Sequence, residues 1–223
     1  MRLVADNVCV ARSGQVFFSG ISFSLNAGEA LVVSGPNGVG KSTFLRVVAG
    51  LLPDAEGRIE LEGGGGENVA ESAHYLGHRN AMKRALSVRE NLEFWRDFMG
   101  VSEAYQTKVS SNVEEAVAKV GLDGIDHLPF GYLSAGQQRR IAMAKLLIAY
   151  RPLWILDEPT AALDVQSQDM FARLIEAHLE GGGLVIAATH QPLGLTDARS
   201  LVLDPGSRAA FGARDPFAPE DAA

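Results

Sequence analysis

The sequence predicts an α/β domain with a parallel core sheet, an antiparallel β edge and a helical arm. Three observations carry that prediction. Gly35-Pro36-Asn37-Gly38-Val39-Gly40-Lys41-Ser42-Thr43 matches G-x-x-x-x-G-K-[ST] in full. The apolar runs Leu153-Trp154-Ile155-Leu156 and Leu184-Val185-Ile186-Ala187-Ala188 do not alternate, which suits strands covered on both faces. Between the glycine-rich loop and those runs, residues ~79–150 carry helical signals and read as a block inserted into the α/β chain.

Taken in order, residues 1–29 alternate apolar and polar, with Gly14 and Gly20 as punctuation, and read as short antiparallel strands. Ala30-Leu31-Val32-Val33 reads as a buried strand and Phe44-Leu45-Arg46-Val47-Val48-Ala49 as a helix running to Gly50. This is the strand–loop–helix context the motif needs. The glycines let backbone N–H groups turn inward around phosphates, and the helix N-terminus adds positive potential at the same spot. Lys41 can set a point charge on the terminal phosphates, and Ser42 can ligate Mg²⁺. The plain alternative is a glycine-rich turn that binds nothing.

Residues 57–62 read as a further strand, residues 63–66 as a turn, and Ala73-His74-Tyr75-Leu76-Gly77 as a strand entering a loop. Ser87-Val88-Arg89-Glu90 predicts a capping box that opens a helix striped by Leu92, Trp95 and Met99 and stopped by Gly100. Ser111-Asn112-Val113-Glu114 predicts a second capping box, with Gly121 as its stop. Trp95 and the phenylalanines read as core. A helix over roughly 165–180 buries Met170, Phe171, Leu174 and Ile175. The domain is expected to span 1–205, with 206–223 as a tail that is poorly ordered or locally packed.

The totals narrow the function. The chain has 223 residues and is 47% hydrophobic, enough for a buried core. Its net charge is −7 and its pI about 5.2, which argues against duplex nucleic acid as the main partner. Cys9 is the one cysteine, so no intrachain disulfide can form, and a reducing, cytoplasmic compartment fits. No secretory signal and no run of about 18 apolar residues is visible, so a membrane role is expected to be peripheral.

Two further constellations suggest chemistry. Asp157 and Glu158 stand at the carboxyl end of a buried strand, where ligands of open α/β sheets sit. Asp157 is placed to hold Mg²⁺, and Glu158 to polarise a water for attack on a γ-phosphate. The alternative is two surface acids at a strand end. His190 ends the neighbouring strand and could donate a hydrogen bond to the γ-phosphate or the water. A lone histidine is more often a loop or partly buried residue. Leu133-Ser134-Ala135-Gly136-Gln137 precedes a helix with Gln138, Arg139 and Arg140, a second element with exposed N–H groups for an anion. An ordinary Ser134 N-cap is the bland alternative.

These residues carry a likeness. From about 1 to 205 the chain resembles the ATP-binding subunits of ABC transporters. The phosphate loop, the signature-like Leu133 to Gln137, Asp157-Glu158, Ala162-Leu163-Asp164 and His190 occur in that family's order. The resemblance implies a P-loop NTPase fold with a RecA-like core sheet, an antiparallel β subdomain and a helical subdomain that touches a membrane subunit. It implies ATP and Mg²⁺, with two copies paired head-to-tail so that Ser134, Gly136 and Gln137 meet ATP held by the other copy.

A narrower likeness rests on Tyr75-Leu76-Gly77-His78, the stretch from Leu133 to Arg140, and Thr189-His190-Gln191-Pro192-Leu193. These look like the haem exporter family of c-type cytochrome biogenesis. It implies membrane partners resembling CcmB, with CcmC and CcmD, and an indirect partner in the haem chaperone CcmE, whose haem-loaded form is released on ATP hydrolysis. It implies a place on the cytoplasmic face of the inner membrane and no nucleic-acid partner.

Two positions depart from the general ABC pattern. Arg12 stands where an aromatic usually stacks on adenine; a guanidinium can also stack on a ring. His78, or Arg79 if the count slips by one, stands where a metal- and water-contacting Gln is usual. Arg79, Lys83, Arg84 and Arg89 make the adjoining stretch basic, a solvated face or a docking surface for acidic groups. The rival readings are the ATPase of another small exporter, a soluble ABC ATPase such as one in Fe–S assembly, and a P-loop kinase, which leaves Leu133 to Gln137 unexplained.

Overall fold

Alternation in the first 26 positions produces two long antiparallel strands, β1 (Arg2–Arg12) and β2 (Gln15–Asn26). They are longer than the short strands the glycines suggest. Leu3 and Ala5 face inward, then the register shifts by a bulge and Val8 and Val10 continue the buried row. Asn7, at φ 49, takes up the shift. Strand β4 (Ala55–Glu62) pairs with the other edge of β1, giving a three-stranded sheet of order β2-β1-β4.

The computed structural model describes residues 1–12, 15–52, 55–64, 68–100, 105, 110–191, 193–195, 197–204 and 210–212. The side chains of 11, 12, 15–17, 55 and 210–212 lie outside that description, and with them the side chain of Arg12.

The second sheet holds β3 (Ala30–Ser34), β5 (Ala73–Leu76), β6 (Leu153–Asp157), β7 (Leu184–Ala188), β8 (Arg199–Val202) and β9 (Ala210–Gly212). Its order is β5-β6-β7-β3-β8-β9, parallel except for the β8–β9 pair. The last strand falls in the segment expected to be a tail.

Each central strand divides its side chains between two cores. Leu31, Val33, Leu153, Ile155, Leu184 and Ile186 pack towards β1, β2 and the helix α1 (Lys41–Val48). Ala30, Val32, Trp154, Leu156, Val185 and Ala187 pack towards the helices on the other face. Both faces are therefore covered, which is why these runs show no alternation.

The helical arm holds α2 (Val88–Met99), α3 (Val113–Lys119) and α4 (Ala135–Ile148); α5 (Val165–Glu180) follows β6. Helix α2 opens on the predicted Ser87/Glu90 capping box and stops at Gly100. Helix α3 starts one residue later than predicted: Asn112 is the N-cap and Glu115 closes the box. Ser111 instead accepts a 2.9 Å hydrogen bond from Lys119. In α5, Phe171 and Ile175 are fully buried, and Met170 and Leu174 pack at the core margin.

The aromatic residues of α2 depart from expectation. Trp95 is partly buried, but Phe94 and Phe98 are 50% and 71% exposed and stack on each other. The basic stretch beside them is also partly spent. Arg89 is paired with Glu114 and Asp126, and Lys83 lies over the Phe94 ring.

Candidate functional site

Strands β3, β6 and β7 end side by side, so the loops leaving them converge on one cleft of 460 Å³. The β3–α1 loop contributes Asn37, Gly38 and Gly40, and the first turn of α1 contributes Lys41, Ser42 and Thr43. Asp157 and Glu158 enter from β6, His190 from β7 and His78 from the end of β5. These segments, scattered from 37 to 190, meet because parallel neighbours present their carboxyl ends on one edge.

The loop backbone is built for close approach. Gly35, at φ 141, lies against the backbone just beyond β8, and a Cβ there would collide with the Leu203 carbonyl oxygen. Gly38, at φ 80, takes a left-handed conformation in the cleft lining, with open space where a Cβ would be. Gly40 serves as a left-handed N-cap with no side chain, leaving the first N–H groups of α1 uncovered by any cap. Lys41 Nζ donates to the Gly35 and Pro36 carbonyls at 2.8 and 3.2 Å. Its desolvation lowers its pKa, against the opposing pull of Glu158 and Asp157.

Ser42 Oγ donates to Asp157 Oδ1 at 3.0 Å, and Tyr75 OH donates to Asp157 Oδ2 at 3.1 Å. Both oxygens of this buried carboxylate are thus engaged. Burial, then the Asp157 charge, push the Tyr75 hydroxyl up to about 12, so it remains a donor. Glu158 has φ 47, a left-handed conformation rare for a residue with a Cβ. Its N–H donates to Ala188 O at 2.8 Å, which holds the turn against β7. His190 Nε2 lies 3.6 Å from Glu158 Oε1, and both side chains reach solvent in the cleft. Thr160 and Gln191 join the two loops behind them by a 3.3 Å hydrogen bond.

Ser134 caps α4 in a full capping box with Gln137: its Oγ accepts from Gln137 N, and its N–H donates to Gln137 Oε1. None of Ser134, Gly136 and Gln137 lines the cleft. This end of α4 abuts the loop after β6, with the ideal Cβ of Gly136 3.6 Å from Ala162 O. Arg139 and Arg140 do not serve an anion there. Arg140 donates to the carbonyls of Val120 and Gly121, and Arg139 turns inward among carbonyls near Asp157. Tyr75 and Arg139 are site residues that the sequence does not announce: a tyrosine on a short strand gives no such signal, and Arg139 reads there only as one basic residue on the helix that offers N–H groups to an anion.

The pocket fits a nucleoside triphosphate with a hard cation. Uncapped N–H groups and Lys41 offer donors, while Ser42 and Asp157 offer hard oxygen ligands. Although His78, Asp157, Glu158 and His190 all line the cleft, among the described residues no three His, Cys, Asp or Glu side chains come close enough to hold a metal ion by themselves. Mg²⁺, which usually takes one or two protein oxygens and fills the rest of its shell with phosphate and water, would be held here by Ser42 and Asp157.

Strand, glycine loop, helix, a strand-end acid pair and a capped signature helix together define an ATP-binding ABC domain. The profile of the ABC transporter family matches residues 18–161, and the chain belongs to that family. It is similar, at 58% identity over 200 residues, to the cytochrome c biogenesis ATP-binding export protein CcmA of Mesorhizobium japonicum, covering 89% of this chain and 96% of that protein. The protein of the same name from Rhizobium meliloti is 59% identical over 203 residues, covering 90% and 97%. A solved ATP-binding subunit of an ABC transporter shares the fold at a TM-score of 0.81 and 21% identity, covering 96% of this chain and 90% of that one. Subunits of this family bind ATP and work as dimers with membrane subunits. Among the described residues no helix is long and apolar enough to cross a membrane.

Proposed function

We propose that this protein is the ATPase subunit of a membrane ABC complex in c-type cytochrome biogenesis, hydrolysing ATP to drive haem handling and release of the haem-loaded chaperone. The observation that carries the ATPase part is the cleft itself, where phosphate loop, Asp157, Glu158 and His190 line one space. The similarity to CcmA proteins supports the pathway.

In this reading the loop N–H groups, from Gly35 to Thr43, and Lys41 bind the phosphates. Ser42 and Asp157 hold Mg²⁺, with His78 near enough to the cleft to bind its water shell. The ion supplies charge neutralisation on the phosphate oxygens. Glu158 accepts a proton from the attacking water, and His190 donates to the γ-phosphate. Tyr75 holds Asp157 in place. Ser134, Gly136 and Gln137 of one copy meet the triphosphate held by a second copy, because they stand outside their own cleft. Arg12 stacks on the adenine in the place of the usual aromatic.

The domain covers 1–205 with 79–150 as the arm, and the segment 206–223 adds to it the edge strand β9. The exposed Phe94 and Phe98 face, with Lys83 beside it, suits docking on a membrane subunit resembling CcmB, alongside CcmC and CcmD. CcmE is an indirect partner, and the protein sits peripherally on the cytoplasmic face of the inner membrane.

The test is Glu158→Gln in the purified protein. ATP binding is expected to persist while turnover falls by about 10²–10⁴ and an ATP-bound dimer accumulates. Turnover at the wild-type rate would falsify the role given to Glu158. Capture of the full chain from detergent-extracted membranes, followed by mass spectrometry, tests the partners; recovery of only an unrelated permease sinks the pathway.

A further inference from the structure

Arg139, in the second turn of α4, is only 5% exposed. Its guanidinium faces neither solvent nor phosphate. Nε donates to Pro159 O at 2.9 Å, and Nη2 donates to Asp157 O at 3.3 Å and Glu158 O at 2.8 Å. Nη1 donates to Gly77 O at 2.7 Å and Asn80 Oδ1 at 3.4 Å. Among the described residues no carboxylate forms an ion pair with it.

Burial disfavours this cation, and the Asp157 and Glu158 carboxylates offset that from a distance without an ion pair, so its direct partners indicate what the position is for. Three of them are consecutive carbonyls, at 157, 158 and 159. They belong to the turn where Glu158 takes its left-handed conformation. Such a conformation persists only where surrounding groups over-determine it. The other two partners bracket His78, which lines the same cleft. A guanidinium spans both segments because its five donors form a rigid fork; an ammonium radiates from one point. The helix that carries it is the one capped by Ser134.

We propose that Arg139 is a positioning residue: from the buried face of α4 it locks the turn that aims Glu158 into the cleft and fixes its spacing to the His78 segment. Through it, the placement of the Ser134-capped helix sets the placement of Glu158. This rests on the reading of Glu158 as the group that activates water.

The test uses the full chain with Arg139→Gln and Arg139→Lys. Both are measured for steady-state hydrolysis, Mg·ATP affinity and hydrogen exchange of peptides covering 76–81, 156–163 and the phosphate loop. The expected result is a fall in kcat of about tenfold or more with ATP affinity within about threefold, since the phosphate loop is untouched. Exchange is expected to rise in the first two peptides and not in the third. Arg139→Lys is expected to fail like Arg139→Gln, although it keeps the charge; a role as mere buried charge predicts recovery. Where Arg139→Gln does not fold, Arg139→Lys carries the test, because its stem fills the same space. Hydrolysis within twofold of wild type, or exchange raised evenly through the protein, overturns the proposal. Glu158→Gln run alongside separates the two failures. If that variant hydrolyses normally, the assignment of Glu158 is wrong, while a local rise in exchange in the Arg139 variants still reports the lock.

Discussion

Ser42 and Asp157, separated by 115 positions of sequence, share a 3.0 Å hydrogen bond in the wall of the cleft. The contact joins the first turn of α1 to the end of β6, and Tyr75 completes it from β5. Ser42→Ala removes a hydroxyl from this triangle without disturbing the loop glycines. Hydrolysis is expected to fall by at least about tenfold, a loss of about 1.4 kcal/mol or more in transition-state stabilisation. Titration of the residual activity with Mg²⁺ checks the cause. The apparent Mg²⁺ requirement should rise, and an unchanged requirement with unchanged activity refutes the metal role of Ser42.

His74 predicts the acid sensitivity of the fold. It is fully buried in β5, its Nε2 2.6 Å from Ala149 O, and burial, with minor contributions from Lys145 and Arg151, pushes its pKa down from 6.5 to about 3. The folded state therefore binds fewer protons than the unfolded chain between those values. Stability is full above pH 6.5 and is lost as pH falls towards 3, by an amount on the order of a few kcal/mol. Denaturant melts across that window check it. His74→Gln, which cannot take up the proton, should flatten the slope relative to wild type, and an equally steep slope in the variant assigns the loss elsewhere.

Phe94 and Phe98 stack at an interplanar angle of 13° on the exposed face of α2, outside the cleft lining. Phe98→Ser is expected to leave ATP affinity and Tm nearly unchanged, since exposed side chains away from the core usually shift stability by less than about 0.5 kcal/mol. Recovery with the membrane subunits from solubilised membranes should drop several-fold. Normal co-purification together with normal ATP-driven cytochrome maturation would remove this face from the docking surface.

Much of the fold is visible in the sequence because its signals are local. The phosphate loop needs only nine consecutive residues, and the Ser87/Glu90 box only four. The unalternated runs at β6 and β7 announce two covered faces. The α3 cap slipped by one residue because Ser111 and Asn112 both suit a cap, and each is followed by a glutamate three positions on. What settled it is the pairing of Ser111 with Lys119 and with the Leu147 carbonyl. Phe94 and Phe98 read as core on hydrophobicity alone; nothing local reveals that, among the described residues, no element covers that side of α2.

By itself the sequence determined the chemistry available: a glycine-lined anion cradle, a lysine and serine at its helix, an acid pair at a strand end, and a capped signature helix. These are matters of residue type at short spacing, where backbone sterics and capping act within a few residues. Only the tertiary structure decided which of them share a cleft, that Tyr75 belongs with Asp157, and that Arg139 faces carbonyls rather than an anion. The reason is that strand order and helix rotation are set by burial across the whole domain, a sum over contacts distant in sequence that no short window contains.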